Sequence, residues 1–380
     1  VDKIPDLAFS IAKIIKSTLG KNKKSVILDL DNTLWGGIIG DDGVEGIAIG
    51  NEQPAGMSYT EFQSYLKNLR SLGIVLNVSS KNEEDIAKQG FTKRTEAPLN
   101  YEDFLYFKAN WNPKSVNISS IIKDMNIGED AFVFIDDNPA EREIVKQQLP
   151  KIRVPDVKSP EEYIKAIDRA GYFEITTFTD DDKKRNEQYK TRAKARAAMA
   201  EFADYASYLK SLEMTGEIGS FSMAHIERIT QLINKSNQFN FTTRRYTTSE
   251  VDEVINNKDK YISCYAKLID KFGDNGITTC MIASVNGDVA NIDLWVMSCR
   301  VLKRDLELRV FDYLVEQCKK RGIKTIEAAY LPTAKNALVK NQYEEIGLKC
   351  VLDSPEKKLY TFDVTRNYEN KNKVIDMKEV

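Results

Sequence analysis

Short apolar runs alternate with helical patterns between residues 26 and 135, and this alternation limits the possible folds more than any other feature. Amphipathic patterns, such as the apolar positions from Tyr59 to Leu69, separate the runs. Uninterrupted apolar runs are typical of strands buried on both faces, and strands that alternate with helices form parallel sheets. We therefore predict an α/β fold with an open, doubly wound, Rossmann-like parallel sheet. Its strands are predicted at 26–28, 74–78, 104–107 and 131–135.

Proline and glycine positions divide the chain into two predicted domains. With 380 residues, the chain is longer than one ordinary hydrophobic core supports. Pro155, Pro160 and Gly171 give the middle segment the composition of a linker. Beyond it, strand-like runs and helical patterns at 304–321 and 334–346 predict an α+β domain. We predict a first domain with an N-terminal helix at 1–155, a linker at 156–178, a second domain at 179–365 and a charged tail at 366–380.

The histidine and cysteine content excludes several kinds of catalytic site. His225 is the only histidine, so the chain cannot form a histidine metal cluster, and a conventional Ser-His-Asp triad would have to use His225. His225 itself lies in a helical pattern, where a packed or solvated side chain is expected. The five cysteines lack C-x-x-C spacing, which excludes a zinc ribbon and argues against a disulfide framework. The chemistry is therefore expected to use carboxylates, lysine, hydroxyls, cysteine or a bound cation.

Charge and hydropathy limit the expected partners and location of the protein. The formal net charge is −2, so no overall basic field attracts nucleic acid or an anionic membrane. No apolar run reaches the roughly 18 residues of a membrane-spanning helix, and no signal-peptide pattern is present. We therefore expect a cytoplasmic protein without nucleic-acid or membrane partners. The first residue is Val1 rather than methionine, so the sequence leaves room for an upstream domain.

Two carboxylates follow the first predicted strand directly. Asp29 and Asp31 are two residues apart, and a strand places such residues on the same face. One carboxylate can attack phosphorus to form an aspartyl-phosphate, while the other protonates the leaving oxygen and later activates water. This spacing predicts phosphoryl transfer with Asp29 as the nucleophile and Asp31 as the acid/base.

A second acidic pair, Asp136 and Asp137, ends the fourth predicted strand. Ligands of open parallel sheets bind beyond the carboxyl ends of the strands, where both acidic pairs fall. Clustered carboxylates repel each other and a phosphate, so the site needs a hard cation with oxygen ligands. Mg²⁺ is the expected ion.

A hydroxyl and an ammonium group are also required to bind phosphate. Ser79 or Ser80 can supply the hydroxyl, because both end the second predicted strand. Lys114 can supply the ammonium, with Lys81 and Lys108 as alternatives. Acidic residues after strands also serve as helix caps. Four carboxylates, a serine and a lysine at successive strand ends nevertheless favour a catalytic site.

These residues resemble the haloacid dehalogenase superfamily, whose pattern is D-x-D-x-T, then Ser or Thr, then Lys, then an acidic pair. More narrowly, LDLDNTLWGGIIGDDGVEGI, SSKN, NWNPK and FIDDNPAERE are similar to the FkbH-like branch of its capless subfamily IIIC. The resemblance covers residues 24–155. It implies that Asp29 is nucleophile and Mg²⁺ ligand, and that Asp31 is acid/base and offers its carbonyl to the metal. It further implies phosphate binding by Ser80 and Lys114, and by Asn32 and Thr33, which shape the loop. The metal is then bound by Asp136 or Asp137 as well.

The resemblance also implies the surroundings of the site. The glycines 36, 37, 40 and 43 suit the hairpin flap that follows the first strand in that superfamily. Too few residues separate the predicted elements for a large cap domain. We therefore expect an open site, which accepts a phosphorylated small molecule or a phosphate carried on another protein.

The second domain resembles GNAT acyltransferases in its last helix and strand, residues 336–348, and FkbH-like proteins in QLINKSNQFNFTTRRY and WVMSCRVLKRDLE. FkbH-like relatives usually carry two glycines where this chain has Lys303 and Asp305. Side chains and a negative charge there argue against coenzyme A, whose pyrophosphate needs a close approach to a helix N-terminus. Arg300 and Arg304 can meet an anion or can simply begin a helix. Cys299 is a candidate reactive thiol, although cysteines on strands are usually buried and inert.

Three hypotheses of function follow. The first is a Mg²⁺-dependent phosphohydrolase. The second is the FkbH-like transfer of a glyceryl group from 1,3-bisphosphoglycerate to an acyl carrier protein. In relatives with that activity a cysteine usually occupies the position of Ser79, and serine cannot form the thioester, so this departure favours hydrolysis. The third is a GNAT-like domain that binds a partner without catalysis.

Overall fold

A computed structural model describes residues 4–176, 178–199, 202 and 204–380. The chain forms two compact units, Val1–Ala193 and Lys194–Val380. The division falls inside the helix Asp180–Met199, whereas the sequence placed the start of the second domain at residue 179.

The first unit contains a four-stranded parallel sheet in the order β3-β2-β1-β4. The strands are β1 (Ser25–Leu28), β2 (Val75–Ser80), β3 (Phe104–Ala109) and β4 (Phe132–Ile135). Each residue of β1, β2 and β4 is buried, as the uninterrupted apolar runs predicted. β1 pairs with β2 on one side and with β4 on the other. The carboxyl ends of these three strands therefore meet at one edge of the sheet.

The helices of the first unit connect and cover these strands. The Tyr59 to Leu69 pattern lies in the third helix and buries Phe62 and Leu66, as predicted. The fifth helix buries Ile118, Ile121 and Met125. The predicted α/β fold is confirmed. In chain order the helices are α1 (Ile4–Thr18), α2 (Ile39–Gly46), α3 (Pro54–Ser71), α4 (Glu84–Thr92), α5 (Lys114–Met125), α6 (Pro139–Gln148), α7 (Tyr163–Arg169) and α8 (Asp180–Met199).

Residues 156–178, which the sequence indicated as a linker, contain α7 and contribute to the core of the first unit. Tyr163, Ile167 and Phe173 are buried there beside residues of the sheet. Proline and glycine mark the chain turns correctly, but the apolar side chains between them pack inward. This segment therefore belongs to the folded first unit.

The segment after β1 differs from the hairpin flap that its glycines suggested. Gly36 and Ala48 form a short antiparallel bridge, with hydrogen bonds of 3.0 and 2.8 Å. Between them the chain forms α2, which is interrupted at Gly43, where φ is 69°. A helix closed by a two-residue bridge thus takes the place of the hairpin.

The second unit contains a nine-stranded mixed sheet, so the predicted α+β class is confirmed. The principal order is β11-β12-β10-β9-β8-β7-β5-β13, and β6 pairs with β9 beside it. The strands are β5 (Thr215–Gly219), β6 (Phe239–Asn240), β7 (Tyr261–Asp270), β8 (Gly273–Asn286), β9 (Val289–Met297), β10 (Thr325–Tyr330), β11 (Lys349–Asp353), β12 (Lys358–Asp363) and β13 (Asp376–Glu379).

The helices of the second unit pack on this sheet. The pattern at 304–321 forms the long helix, whereas that at 334–346 contains only a 3₁₀ turn and a four-residue helix. Residues 366–380, indicated as a charged tail, include β13, which pairs in parallel with β5. Among the described residues, none of the helices has the length and apolar character needed to cross a lipid bilayer. The helices are α9 (Tyr205–Ser211), α10 (Ile226–Lys235), α11 (Thr248–Asn256), α12 (Leu306–Lys320) and α13 (Gln342–Glu345).

Candidate active site

Asp29 lies at the carboxyl end of β1, the strand between β2 and β4. Its backbone N–H donates to the carbonyl of Ile135 at 3.0 Å, which continues the pairing of β1 with β4 by one residue. Asp136 follows Ile135 directly. The two acidic motifs, more than one hundred residues apart in sequence, are therefore brought together by strand pairing.

Lys114, the first residue of α5, lies between the carboxylates of Asp29 and Asp136. Its Nζ is 3.0 Å from Asp29 Oδ2 and 2.6 Å from Asp136 Oδ2. The three side chains are at most 7% exposed. Burial acts to lower the pKa of Lys114, but the charges of Asp29 and Asp136 raise it overall, so the ammonium keeps its proton. The structure thus brings together three of the predicted site residues.

Asp29, Asp136 and Asp137 form a group that fits a divalent cation. Each offers a carboxylate oxygen, and these oxygens lie within 4.8 Å of one another. Asp29 Oδ1 is buried and lacks a hydrogen-bond partner among the described residues. Three carboxylates face one ammonium, so the ionised set carries excess negative charge. Burial, followed by repulsion from Asp29, raises the pKa of Asp136 and of Asp137. The oxygen donors and the charge imbalance fit a hard cation such as Mg²⁺.

Asp31 is held by three N–H donors. Oδ1 accepts from the indole of Trp35 at 2.9 Å and from the backbone N–H of Ile39 at 3.1 Å, and Oδ2 accepts from the amide of Asn82 at 2.9 Å. Burial is the largest effect on this carboxyl and raises its pKa. Trp35 and Asn82 were not among the predicted site residues. Their positions in WGG and SSKN, next to recognised motifs, are the signal that could have indicated them.

Asn32 and Thr33 form the loop between Asp31 and the flap. Asn32 has a positive φ of 55°, and its side-chain oxygen accepts from the backbone N–H of Gly37 at 2.9 Å. Thr33 is fully buried, and its hydroxyl accepts from the backbone N–H of Asp137 at 3.2 Å. These contacts shape the loop, whereas the expected contact of both residues with phosphate stays a prediction.

Ser80 and the alternatives to Lys114 differ in their surroundings. Ser80 ends β2 and is 1% exposed, while the hydroxyl of Ser79 donates to the carbonyl of Lys114 at 3.4 Å. Lys81 pairs with Glu141 at 2.6 Å and is 44% exposed. Lys108 lies within β3, beside Ser79 in the register. Of the three lysines, Lys114 is the one whose ammonium contacts the nucleophile candidate.

Arg142 and Asn138 support the second acidic pair. The guanidinium of Arg142 donates to the carbonyls of Asp136 and Asp137, at 2.9 and 2.6 Å. The backbone N–H of Asn138 donates to Asp136 Oδ1 at 2.9 Å, and its side chain caps α6 by accepting from Ala140 N. Neither residue was predicted from the sequence, because polar and charged residues are ordinary at a helix start and a sequence does not show which backbone carbonyls Arg142 contacts.

The predicted second-domain residues lie around the start of α12. Arg304 is 7% exposed and forms an ion pair with Asp270, so its guanidinium is used within the fold. Arg300 donates from Nε to Ser298 at 3.1 Å. The side chain of Cys299 lies outside the described part of the structure, although its backbone begins a 3₁₀ turn.

The turn that precedes α12 keeps a backbone shape that favours glycine. Lys303 and Asp305 both have a φ of 63°. A ligand that needed the space of two glycines would meet two side chains and the charge of Asp305. The residues present therefore do not fit the pyrophosphate of coenzyme A.

Comparisons with known proteins bear on the two units separately. No protein-family model and no curated protein sequence matches the chain. A solved structure with 42% identity is the N-terminal part of the protein BF1531 from Bacteroides fragilis, which contains a phosphatase domain and is complexed with Mg. The match has a TM-score of 0.45 and covers 47% of this chain and 47% of that one, so the chain spans about half of that relative. The predicted likeness to a phosphatase domain is confirmed.

Many acetyltransferase structures also match part of the chain. Ribosomal-protein-S18-alanine N-acetyltransferase from Escherichia coli has 14% identity and a TM-score of 0.31, covering 41% of this chain and 99% of that protein. An acetyltransferase of the GNAT family from Desulfovibrio desulfuricans has 12% identity and a TM-score of 0.32, covering 40% and 99%. At these identities and TM-scores the matches carry no information about activity.

Proposed function

We propose that this chain is a Mg²⁺-dependent phosphohydrolase that acts through an aspartyl-phosphate formed on Asp29. The observation that carries the proposal is the buried cluster in which Lys114 bridges Asp29 and Asp136 while Asp29 Oδ1 has no partner in the described part of the chain. Asp29, Asp136 and Asp137 would hold the cation. When bound, Mg²⁺ supplies positive charge that offsets the charges of the carboxylates and the phosphate.

The proposed reaction has two steps. An Asp29 oxygen attacks phosphorus and forms the aspartyl-phosphate bond, while the bond to the leaving oxygen breaks and Asp31 donates a proton to that oxygen. Asp31 then takes a proton from water, whose oxygen attacks phosphorus and breaks the bond to Asp29. Inorganic phosphate is released and both side chains return to their starting state. Lys114 stays protonated and pairs with phosphate oxygens throughout.

The surroundings of the site support hydrolysis rather than acyl transfer. Ser79 is fully buried and carries a hydroxyl where glyceryl-transferring relatives carry the thiol, so a thioester cannot form there. The connections between β1 and β4 contain helices but no inserted cap domain. These features support a phosphorylated metabolite, or a phosphate on a carrier protein, as substrate.

Phosphate release from a panel of phosphorylated metabolites and acyl phosphates tests this proposal. We expect turnover that requires Mg²⁺ and falls at least about 10³-fold in Asp29→Asn, because the variant lacks the nucleophile. Asp85→Asn is the matched control. It makes the same chemical change at a side chain that is 99% exposed and is not part of the predicted site. Thermal unfolding of each variant confirms that the fold is intact.

Two outcomes would contradict the proposal. Asp29→Asn with wild-type turnover would exclude Asp29 as the nucleophile. The second outcome is that none of the substrates releases phosphate, while an acyl carrier protein gains mass when 1,3-bisphosphoglycerate is supplied. That result would support glyceryl transfer instead.

A further inference from the structure

Tyr163 lies far from the acidic motifs along the chain, yet its side chain reaches the loop that follows β1. Its ring is buried and packs edge-on against Phe62 of α3, with the ring centroids 5.0 Å apart. Its hydroxyl donates to the backbone carbonyl of Asn32 at 3.0 Å. Burial is the main cause that raises the pKa of Tyr163, so the hydroxyl keeps its proton and remains a donor.

The residue that accepts this hydrogen bond has a left-handed backbone. Asn32 adopts a φ of 55°, a region that asparagine tolerates better than most residues but that is less favourable than an extended backbone unless other contacts support it. Such a conformation persists only when surrounding contacts fix it. Two hydrogen bonds support this conformation: the backbone N–H of Gly37 donates to the Asn32 side chain, and the Tyr163 hydroxyl donates to the Asn32 carbonyl.

The conformation of Asn32 sets the positions of its two neighbours. Asp31, the proposed acid/base, precedes it, and Thr33, whose hydroxyl accepts from Asp137 N–H at 3.2 Å, follows it. If Asn32 relaxed to an extended backbone, the peptide groups on both sides would rotate. The direction of the Asp31 carboxylate and the contact from Thr33 to the acidic pair would then change together.

We propose that Tyr163 is a positioning residue that fixes the left-handed backbone of Asn32 and thereby aligns Asp31. Its effect on turnover rests on the proposed function, whereas its effect on the loop does not. Tyr163 makes no hydrogen bond to either acidic pair in the described structure and acts through Asn32, so its removal is expected to lower kcat more than it raises KM. Because Tyr163 is the first residue of α7, this helix would have a functional role as well as a packing role.

The test compares Tyr163→Phe with wild type by hydrogen exchange and by kinetics. Phenylalanine keeps the ring packing and removes only the hydroxyl. The variant loses the hydrogen bond to the Asn32 carbonyl and the interaction of the hydroxyl with the Thr33 side chain. This loss is expected to speed exchange of amides 31–37 in the metal-free protein about fivefold and to lower kcat by a similar factor. Tyr172→Phe is the matched control, because Tyr172 lies in the same segment with its ring beside Lys16 of α1.

A second background separates positioning from general damage. Glycine adopts a left-handed backbone without strain. In an Asn32→Gly background, Tyr163→Phe is therefore expected to lower kcat less than it does in the wild-type background, because only the interaction with Thr33 is still lost.

Two results of the hydrogen-exchange measurement overturn the proposed positioning role of Tyr163. One is unchanged exchange of amides 31–37 in Tyr163→Phe, and the other is faster exchange across the whole first unit. Faster loop exchange with unchanged kcat overturns the catalytic part. An inactive wild-type protein overturns the proposed function and the catalytic part with it, while the exchange data still decide whether Tyr163 fixes the loop.

Discussion

The ammonium group of Lys114 supplies the positive charge within a buried set of carboxylates. Its contacts with Asp29 and Asp136 are short, and all three groups are nearly inaccessible to solvent. Separating a buried charge from its partner typically costs about 3–5 kcal/mol, whereas partly exposed pairs contribute little. The same lysine can therefore serve both the fold and the binding of phosphate.

We predict that Lys114→Met lowers the free energy of unfolding of the first unit by about 3–5 kcal/mol in EDTA, because adjacent carboxylates lose their counter-charge. Mg²⁺ should then raise the unfolding temperature more in this variant than in wild type, since the cation replaces the missing charge. Thermal unfolding in EDTA and in Mg²⁺ measures both effects. Lys81→Met is the control. It also breaks an ion pair, with Glu141, but the Lys81 side chain is 44% exposed and water reaches that pair more readily. Equal losses in the two variants would contradict a special role for Lys114.

Glu307, in the first turn of α12, carries a buried carboxyl group that should make the stability of the second unit depend on pH. It is 9% exposed, and its Oε2 lacks a hydrogen-bond partner among the described residues. Burial is the main cause that raises the pKa of Glu307 to about 7. The folded state thus holds this proton more tightly than the unfolded state, so stability falls as pH rises from the unfolded pKa of about 4.5 through 7.

We predict that Glu307→Gln is more stable than wild type at pH 8, by up to about 3 kcal/mol, and that the difference nearly vanishes at pH 5. The neutral amide avoids the cost of ionising a buried group at the higher pH. Chemical unfolding of the second unit at the two pH values measures the difference. Glu356→Gln, at an exposed position, should show no such pH dependence. A constant difference at both pH values would argue against ionisation as the cause.

At the scale of elements, local patterns predicted the strands and the acidic residues that end them. β1 and β4 were predictable because their apolar runs are short, uninterrupted and followed by acids. The pairing that places Asp29 beside Asp136 followed from the general geometry of parallel sheets. The choice of Lys114 over Lys81 and Lys108 did not follow from that geometry, because it depends on where α5 begins relative to β1.

Elements that depend on distant contacts were missed. α7 lies in a segment rich in proline and glycine, and only packing against Phe62 and the sheet distinguishes it from a linker. β13 pairs with β5, so that Asp376 lies beside Thr215, a partner far away in sequence. The polar composition of the last residues carries no signal for such an edge strand. Local composition therefore could not predict either element.

The turn before α12 allows an element-scale prediction about coenzyme A. We expect no binding heat when acetyl-coenzyme A is titrated into wild type, because Lys303 and Asp305 occupy positions whose backbone suits glycine. Lys303→Gly/Asp305→Gly should relieve roughly 1 kcal/mol of strain at each position and remove a negative charge. Glu213→Gly, also at positive φ, is the control for strain relief alone.

Calorimetry of the double variant decides what excludes the cofactor. Binding that appears only in the double variant would identify these two side chains as the cause. Clear binding by wild type would contradict the prediction.

At the scale of the whole molecule, the chain has separate hydrophobic cores in its two units. Phe62 is fully buried in the core of the first unit, and Phe311 is fully buried in a core of the second. No described core residue is shared between these clusters. Each unit contains more than 180 residues, which is ample for an independent core. A cation bound at the carboxylate cluster should therefore stabilise the first unit and leave the stability of the second unchanged.

We predict two calorimetric unfolding transitions, of which Mg²⁺ raises only one, because the cation binds the folded first unit and not the unfolded chain. Phe62→Ala should lower the temperature of the Mg²⁺-sensitive transition, and Phe311→Ala that of the other. Each truncation removes a fully buried ring and should cost about 3–5 kcal/mol, so the two variants are matched in chemistry and burial. Asp29→Asn should abolish the Mg²⁺ shift without merging the transitions. A single transition that both phenylalanine variants lower equally would show instead that the two cores unfold as one cooperative unit.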